Sequence, residues 1–440
     1  MRRLIIVAAA VVALVATASS TAVAPGPPVT DPNEIINLPA GYTYTVLSTA
    51  CEDEVTSTES GATFDMPEDF DANILFNAGT EYWLLNHHEL TQPRPGDFQG
   101  DADKCFVPEQ SPVDDGDSDG YGSISRLVLA KDGTTVLRRE LITTGLHDLC
   151  AAAETPWKTF LANEEFPFIQ DPELRSGWVW EIDPATGAEK RLTGMGRFSH
   201  EQEAYAAGGS WYLTDDRGDA RFLYKFVPDR RRDLTKGRLY GLAFNKATMT
   251  GRWIGPLNPF DPDTDMRGRG FQPSVWGFVK IEGIVGAAGS AGIGGSSLTM
   301  TESSAGGDPG RVWKFTQLGG DTIRGQVLVE GDFAQLSRPD NLRYNDAGDL
   351  FIMEDHSSGD FTGHAETGGK NDIWVLPRGS QGAANLILFA TLPHRFEPTG
   401  PWFSNDNQIL YLSIQADAPL HSRVIAITRE GGNFNQPYDH

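Results

Sequence analysis

Basic residues are scarce in this 440-residue chain, and the shortage of positive charge narrows its possible partners. Lys and Arg together number 36 against 60 Asp and Glu, which leaves a formal net charge of −24. Such a chain lacks the positive charge that neutralises nucleic-acid phosphates, so nucleic acid is excluded as a partner. An acidic chain instead attracts divalent cations. The composition is consistent either with a solvated acidic surface or with a site where carboxylates converge on metal ions.

Long apolar runs are also scarce, and the single one extends from Leu4 to Ala16. It follows two arginines and precedes a stretch of small residues, an order typical of a secretory signal peptide. The run is too short to span a bilayer comfortably and no second one follows, so we expect no membrane anchor after cleavage. We predict a signal peptide over residues 1–24 and a secreted or periplasmic location, with the export machinery left open.

Cysteine is rare as well, with three residues in a chain expected to fold in an oxidising compartment. An odd number leaves at least one cysteine without an intramolecular partner. Cys51 and Cys105 both lie in polar loop sequence, and we expect them to form a disulfide bond. Cys150 then stays unpaired. Its spacing alone leaves two interpretations open: a small buried apolar side chain, or a thiolate ligand for a metal softer than calcium, such as iron or zinc.

Helical periodicity is weak, whereas short segments with strand chemistry recur between Gly, Pro and Asp-Gly turns. Two hairpins in roughly 40 to 60 residues are typical of a propeller blade. We therefore predict an all-β fold, a monomeric single-domain six-bladed β-propeller over residues 25–440. The predicted units cover residues 73–147, 155–195, 201–247, 279–331, 340–392 and 398–429, and residues 42–47 close the last blade. A β-sandwich with long loops is the alternative fold.

Acidic residues recur at the predicted strand ends, where a propeller brings its blades together around a central channel. The set consists of Glu89, Glu164, Glu165, Glu201, Asp215, Asp216, Glu282, Glu302, Asp340, Glu354 and Glu397. Gathered carboxylates cannot all stay ionised without cations, and sets of about six to eight oxygen ligands suit calcium. The alternative is a series of separate, exposed strand ends. Two Asp-rich loops, at residues 115–119 and 261–265, are each either a structural calcium site or an acidic turn.

The region around Cys150 carries a long motif: Cys150, four residues, Thr155-Pro156-Trp157, and a strand that ends in Glu164-Glu165. It resembles the pattern of the PhoX-type alkaline phosphatases, a family of exported six-bladed propellers. The resemblance continues in order through most of the mature chain. Further matching segments begin at Asn86, Gly196, Tyr212, Gly237, Gly251, Pro339 and Glu397.

The resemblance implies an active site that holds two irons (Fe³⁺) and several calcium ions (Ca²⁺). By position, Cys150 resembles the iron-bridging thiolate. The metal ligands that the resemblance implies are Cys150, Glu89, Glu164, Glu165, Glu201, Asp216, Glu282 and Glu397. Lys280 falls where the family has a phosphate-binding Arg, and it keeps the charge but loses the planar fork. Lys280 and Arg217 are expected to balance charge on the phosphoryl group, and Ala153 replaces a Gly of the family pattern.

The expected function is that of a secreted, metal-dependent phosphatase whose substrate is a small-molecule phosphate monoester. A calcium-dependent lactonase is the first alternative, because six-bladed propellers with a central metal also host that reaction, and it needs one calcium and no thiolate. A calcium-binding propeller without catalysis is the second, because a fold does not imply a function. The thiol of Cys150 favours the phosphatase over both.

The exported protein should begin near Pro25, because the apolar run is followed by Ala22-Val23-Ala24, small residues of the kind that signal peptidase accepts. N-terminal sequencing of protein recovered outside the cytoplasm measures this directly. A mature chain that retains residues 4–16 would contradict the prediction.

Overall fold

Antiparallel strands joined by turns make up most of this computed structural model. The structure describes residues 25–90, 105, 121–165, 167, 176–206, 208–217, 221–286, 297–303, 308–355, 371–393, 395–416 and 420–434. The predicted signal peptide and the Asp-rich loop at residues 115–119 lie outside the described residues, so both stay predictions.

Five strands precede the first blade. β1 (Pro28–Val29) and β2 (Leu38–Pro39) pair with each other. β3 (Tyr42–Thr49) is long and belongs to the last blade, whereas β4 (Glu54–Ser57) and β5 (Thr63–Asp65) pair at the edge of the first. The N-terminal segment therefore contributes to both ends of the blade series.

Six blades of four antiparallel strands follow, and strands consecutive in the chain are hydrogen-bonded neighbours. Blades 1 and 2 contain β6 (Phe70–Asn77), β7 (Tyr82–His88), β8 (Gly122–Leu129), β9 (Val136–Leu146), β10 (Leu149–Glu154), β11 (Phe160–Glu164), β12 (Val179–Ile182) and β13 (Glu189–Arg191). Blades 3 and 4 contain β14 (His200–Tyr205), β15 (Trp211–Asp215), β16 (Tyr224–Arg230), β17 (Asp233–Asn245), the additional strand β18 (Thr250–Ile254), β19 (Ile281–Gly286), β20 (Ser297–Glu302), β21 (Arg311–Gly319) and β22 (Thr322–Glu330). Blades 5 and 6 contain β23 (Pro339–Tyr344), β24 (Leu350–Glu354), β25 (Asp372–Leu376), β26 (Ile387–Thr391), β27 (Phe396–Phe403), β28 (Ile409–Ala416), β29 (Arg423–Arg429) and the returning β3.

Two sheets extend beyond four strands. β18 pairs with β17 and with β22, so blades 3 and 4 share one nine-stranded sheet. β4 adds in parallel to β9, and with β5 it widens blade 1 to six strands. Helices α1 (Pro262–Gly268) and α2 (Pro273–Trp276) lie between blades 3 and 4, and 3₁₀ turns cover Thr193–Met195 and Ala383–Asn385. Within the described part of the chain, none of the helices has the length and hydropathy that crossing a membrane requires.

The first strands of the six blades form a closed ring. β6 contacts β10, β10 contacts β14, β14 contacts β19, β19 contacts β23, β23 contacts β27, and β27 returns to β6. The later strands of each blade extend outward from this ring. Because a two-layer sandwich contains no such cycle, the alternative fold is excluded and the six-bladed propeller is confirmed.

The last blade is closed by the N-terminal strand. β3 pairs with β29, from Tyr42 opposite Arg429 to Thr49 opposite Arg423, as predicted for residues 42–47. The disulfide bond between Cys51 and Cys105, with Cα atoms 5.4 Å apart, is also confirmed.

The start of blade 2 differs from the prediction. The blade begins at Leu149 rather than at residue 155, because the short run of small residues that follows Cys150 forms an inner strand. The free, buried Cys150 therefore lies within that strand.

Both faces of each blade are buried, because each blade packs between two neighbours. Leu161 of blade 2 packs in one core cluster with Trp211 of blade 3. Phe351 of blade 5 meets Phe403 of blade 6, with ring centroids 5.1 Å apart. Strands buried on two sides read as continuous apolar runs rather than as alternating ones. This explains why the strands of this chain are rich in aromatic and aliphatic residues at successive positions.

A β-bulge interrupts the first strand of every blade. In blades 1 to 5 the pairing shifts directly after the opening pair of the strand, between Phe70 and Asn73, Leu149 and Ala152, His200 and Glu203, Ile281 and Ile284, and Pro339 and Leu342. In blade 6 it shifts between Thr399 and Trp402. A bulge bends the strand and re-aims the side chains within it. In blades 1 to 5 the bulge includes the second residue of the strand.

Gly400, in the bulge of blade 6, should be intolerant of a side chain. It has a φ of 59°, and an added Cβ would overlap the backbone oxygen of Asp71 and come within 2.8 Å of Asn73 Nδ2. We expect Gly400→Ala to lower the free energy of unfolding by about 2 kcal/mol or more, measured by chemical denaturation. The cost of placing alanine in a left-handed conformation adds to the cost of the clash with the backbone.

Gly431→Ala is the matched control. Gly431 has a similar φ of 63°, but no atom lies within 4 Å of an added Cβ. Strain alone should cost about 1 kcal/mol there. Equal losses in the two variants would mean that contact with blade 1 is not what requires glycine at position 400.

Candidate metal centre

The ring of first strands brings one position from all six blades to the central channel. The second residue of the first strand is, in blade order, Asp71, Cys150, Glu201, Glu282, Asp340 and Glu397. Five of the six are buried and Glu397 is half-buried. Five carboxylates and one thiol therefore occupy equivalent positions at the same end of the channel.

A second set of residues directly follows the second strand of each blade. It comprises Glu89, Glu165, Asp216, Ser303 and Asp355, while the equivalent residue of blade 6 lies outside the described residues. The backbone N–H of each donates to the carbonyl of the residue that precedes the first strand, as from Glu165 to Asp148 at 2.9 Å. This repeated hydrogen bond holds the second set beside the first.

A third set consists of the residue directly before each first strand, and its charge differs from blade to blade. Its members are Asp69, Asp148, Ser199, Lys280, Arg338 and Arg395. All but Ser199 have positive φ values, between 39° for Lys280 and 78° for Arg395. Blades 1 and 2 thus present acids at this position, and blades 4 to 6 present bases. The same backbone position therefore carries negative charge on one side of the ring and positive charge on the other.

Donor atoms from the three sets come close enough to hold metal ions at three places. In each group the atoms lie within 4.8 Å of one another, and the groups are Asp71, Glu89 and Cys150; Glu89, Asp148 and Glu165; and Glu201, Asp216 and Glu282. The first two groups adjoin, because both use Glu89. Cys150 Sγ also lies 3.4 Å from Glu165 Oε2. One group therefore mixes a thiol with carboxylates, and the other two offer oxygen alone.

Burial and mutual repulsion make the ionised forms of these groups unfavourable. Burial first, and then the neighbouring carboxylates, raise the pKa values of Glu165 and Glu201 well above the usual range. The same two causes raise the pKa of the Cys150 thiol, and they raise the pKa of Asp340 to about 7. Carboxylates buried together are stable as anions only when cations neutralise them. The residues present therefore fit a centre that binds several metal ions.

Lys280 places one cation inside this cluster. Its Nζ lies 2.6 Å from Glu282 Oε1 and 3.6 Å from oxygens of Asp216 and Asp355. Burial lowers the pKa of the ammonium, but the three carboxylates outweigh this effect and hold that pKa well above its usual value. Arg217, the other predicted cation, lies beside Asp215, and within the described residues it forms no ion pair with the three metal groups.

Glu164 lies at a different kind of position from its neighbour Glu165, because it is the last residue of a second strand. Its two carboxylate oxygens accept the backbone N–H groups of His147 at 3.2 Å and Trp178 at 3.0 Å. Glu354 repeats this arrangement with two other backbone N–H groups. Through these hydrogen bonds, the carboxylates at the strand ends bind the backbone of neighbouring segments. Among the described residues, the three metal groups do not include six of the predicted ring residues: Glu164, Asp215, Glu302, Asp340, Glu354 and Glu397. Asp340 and Glu397 nevertheless belong to the set of second residues that lines the channel.

Hydrogen bonds from neighbouring polar side chains fix the ring carboxylates. Asn341 Nδ2 donates to Asp340 Oδ1 at 3.0 Å, and its Oδ1 accepts the backbone N–H of Gly400 at 2.9 Å. The hydroxyl of Thr399 donates to Asp71. These bonds connect blades 1, 5 and 6 around the channel, so the carboxylate positions are set by several blades at once.

The carboxylates of the Asp-rich loop at residues 261–265 do not converge on one point, an arrangement that favours the acidic turn over the calcium site. Asp261 caps α1 by accepting a backbone N–H, Asp263 pairs with Arg221 at 3.2 Å, and Asp265 pairs with Arg269 at 2.9 Å. The three carboxylates point to different partners because a helix starts within the loop.

Sequence reasoning missed Asp71, Asp148 and Asp355 as channel residues. Asp71 lies one residue after the start of β6, Asp148 one residue before β10, and Asp355 directly after β24. A signal was available: a Cys or an acid directly precedes a short strand-like run at Asp71 and Cys150 alike. Aligning the starts of the blades would have found it.

The protein is a closed six-bladed propeller whose channel carries a candidate metal centre, with a thiol among carboxylates. The family model described as alkaline phosphatase PhoX matches residues 130–269 and 298–417, which is more than half of the chain. The chain therefore belongs to the PhoX family of alkaline phosphatases, a metal-dependent family of phosphate-ester hydrolases.

Solved structures show the same fold. The chain is 19% identical to Pseudomonas fluorescens PhoX in complex with vanadate, a transition-state analogue, with a TM-score of 0.65 over 94% of this chain and 99% of that one. A Trichoderma reesei enzyme of carbohydrate-active family AA12 is 9% identical, with a TM-score of 0.46 over 92% and 99%. A gluconolactonase from Xanthomonas campestris is 13% identical, with a TM-score of 0.39 over 86% and 98%. The last two likenesses are too distant to carry an argument, and a sequence comparison with curated proteins found no match.

Adjacent glutamates provide a test of the metal groups. Glu165→Gln should remove at least one bound metal ion per chain, because it takes a charged donor from the group that contains Glu89 and Asp148. Glu164→Gln should keep the metal content and lower the free energy of unfolding by about 1–3 kcal/mol, because an amide satisfies only one of two buried N–H groups. Elemental analysis after dialysis and chemical denaturation measure the two effects. Loss of metal from the Glu164 variant at unchanged stability would reverse the assignment.

Proposed function

We propose that this protein is a secreted phosphatase that hydrolyses phosphate monoesters at a calcium and iron centre in the propeller channel. The observation that carries the proposal is the convergence of Cys150 with carboxylates of blades 1 and 2 in a chain of the PhoX family. A thiol at this point has a chemical use that a calcium-only propeller would lack.

The donor atoms of each group suggest which metal that group would bind. Asp71, Glu89 and Cys150 offer a thiolate with carboxylates, a combination that suits iron better than calcium. Glu201, Asp216 and Glu282 offer oxygen alone, which suits calcium. The group of Glu89, Asp148 and Glu165 adjoins the first, so it supports a second ion next to the first. The channel thus provides positions for both kinds of metal.

Bound metal ions supply positive charge to the phosphoryl oxygens and generate an oxygen nucleophile at moderate pH. The residues of the chain position those ions and shape the approach of the substrate. A dianionic phosphate could not enter a channel lined with uncompensated carboxylates, because like charges repel. The similar Pseudomonas fluorescens PhoX binds vanadate, a transition-state analogue, which supports a phosphatase activity for this chain.

Lys280 is the residue of the chain best placed to bind a phosphate oxygen. Its ammonium lies against Asp216 and Glu282, two residues of the all-oxygen metal group. If metal ions were bound by these carboxylates, the Lys280 ammonium would be free to donate hydrogen bonds to the substrate. A Lys binds phosphate as a point charge and lacks the bidentate geometry of Arg. Arg217 is proposed as an auxiliary cation at the channel mouth.

The proposal extends to location and assembly. Export is supported by the apolar run after the N-terminal arginines and by the disulfide bond between Cys51 and Cys105, which requires an oxidising compartment. We propose that the mature chain acts as a monomer with the single domain over residues 25–440. The channel is formed entirely by blades of one chain, so the site needs no second copy.

Metal-replete native protein should hydrolyse a phosphate monoester, and Cys150→Ser should lower kcat by at least about 100-fold with loss of iron and retention of calcium. A serine hydroxyl has nearly the size of the thiol, so the fold should persist, and the unfolding transition should be lowered only by the stabilisation that the lost iron supplied. Steady-state kinetics and elemental analysis on one preparation measure both effects.

A lactone assayed on the same preparation separates the alternatives. Lactone turnover without phosphatase activity, with calcium and no iron bound, would support a calcium lactonase instead. Turnover of neither substrate by metal-replete protein would support a binding propeller, and full activity of Cys150→Ser would remove the thiol from the centre.

A further inference from the structure

The seam where blade 6 meets blade 1 carries a second cluster of metal-binding residue types. Cys51, Glu68 and His421 place donor atoms within 4.8 Å of one another, and Cys105 is the disulfide partner of Cys51. None of these four residues belongs to the three groups that the described residues form in the channel. The cluster therefore needs an explanation of its own.

Rigid elements hold the four residues. Cys51 follows β3, Glu68 precedes β6, and His421 precedes β29. Glu68 is buried, and its backbone N–H donates to the carbonyl of Cys105 at 2.9 Å. Cys105 is thereby held beside blade 1 by a hydrogen bond in addition to the disulfide bond.

The side chains are already arranged around one point. Glu68 Oε1 accepts a hydrogen bond from His421 Nδ1 at 2.6 Å and lies 3.3 Å from Cys51 Sγ. Its other oxygen accepts the backbone N–H of Ser422 at 3.0 Å. An imidazole, a carboxylate and a sulfur atom thus meet where the N-terminal and C-terminal parts of the chain close the ring.

Reduction changes what the sulfurs can do. A phosphine reductant cleaves the bond between Cys51 and Cys105 by supplying two electrons and becomes a phosphine oxide, while water supplies its oxygen and the two protons that the sulfurs take up. The two thiols, with His421 and Glu68, then form a set of two sulfurs, one nitrogen and one oxygen. Four such ligands match the tetrahedral preference of zinc, which displaces the thiol protons on binding.

We propose that the reduced chain binds one Zn²⁺ through Cys51, Cys105, His421 and Glu68, so that the metal replaces the disulfide bond as the link across the seam. The seam matters because β3 closes the last blade by pairing with β29. The chain then has a covalent link at this seam under oxidising conditions and a zinc link under reducing conditions.

Zinc titration of calcium-saturated protein tests the proposal, with and without a phosphine reductant. Calcium is added first so that it occupies the channel carboxylates, and Cys150 is free in both redox states. The difference in zinc uptake between the oxidised and the reduced protein therefore reports on the seam cluster. We expect one more zinc ion per chain in the reduced protein, counted by elemental analysis after gel filtration. Zinc should raise the melting temperature of the reduced protein and leave that of the oxidised protein unchanged.

Two variants locate the ligands. The reduced double variant Cys51→Ser and Cys105→Ser should lose the additional zinc. His421→Gln keeps the disulfide bond, so its oxidised form should fold normally, and its reduced form should bind zinc about tenfold or more weakly.

Equal zinc uptake by oxidised and reduced wild-type protein would overturn the proposal, as would retention of the additional ion by the double variant. If the double variant does not fold, His421→Gln decides alone, and unchanged zinc affinity in its reduced form would exclude this ligand set.

Discussion

Repulsion between buried carboxylates at the centre of the ring is the constraint on which the rest of this structure depends. Closure of six first strands into a cycle brings Asp71, Glu201 and Glu282 to one end of the channel, whether or not their charges are compensated. A single ammonium, that of Lys280, offsets only part of this charge. Metal ions bound at this end of the channel would stabilise the folded state, because ligands that bind only the folded chain stabilise it.

The propeller repeats its backbone but not its charges. The residue before each first strand adopts a left-handed conformation in five blades, yet it is Asp148 in blade 2 and Lys280 in blade 4. The residues at this position are thus acidic in blades 1 and 2 and basic in blades 4 to 6. The charge around the channel is therefore asymmetric although the backbone repeats six times. An asymmetric site suits a substrate whose phosphoryl group and leaving group differ.

Much of the fold could be predicted because its signals are local. Short aromatic and aliphatic runs between turns mark the strands, and their spacing gives six units, with residues 42–47 returning to the last blade. The start of blade 2 was misplaced, because Ala151, Ala152 and Ala153 carry little strand signal. The polar loop sequence around Cys51 and Cys105 likewise predicted the disulfide bond between them.

The amino-acid sequence by itself determined the propeller, its acidity and the presence of a thiol beside a Glu-Glu pair. Only the tertiary structure decided which carboxylates join the candidate metal groups and which accept backbone hydrogen bonds. Glu164 and Glu165 are adjacent and chemically identical, yet the first accepts two backbone N–H groups and the second joins Glu89 and Asp148. The physical reason is that strand residues alternate in direction and a bulge re-aims those near it. The direction of each side chain therefore follows from pairing register between distant segments, and register is a property of the assembled ring.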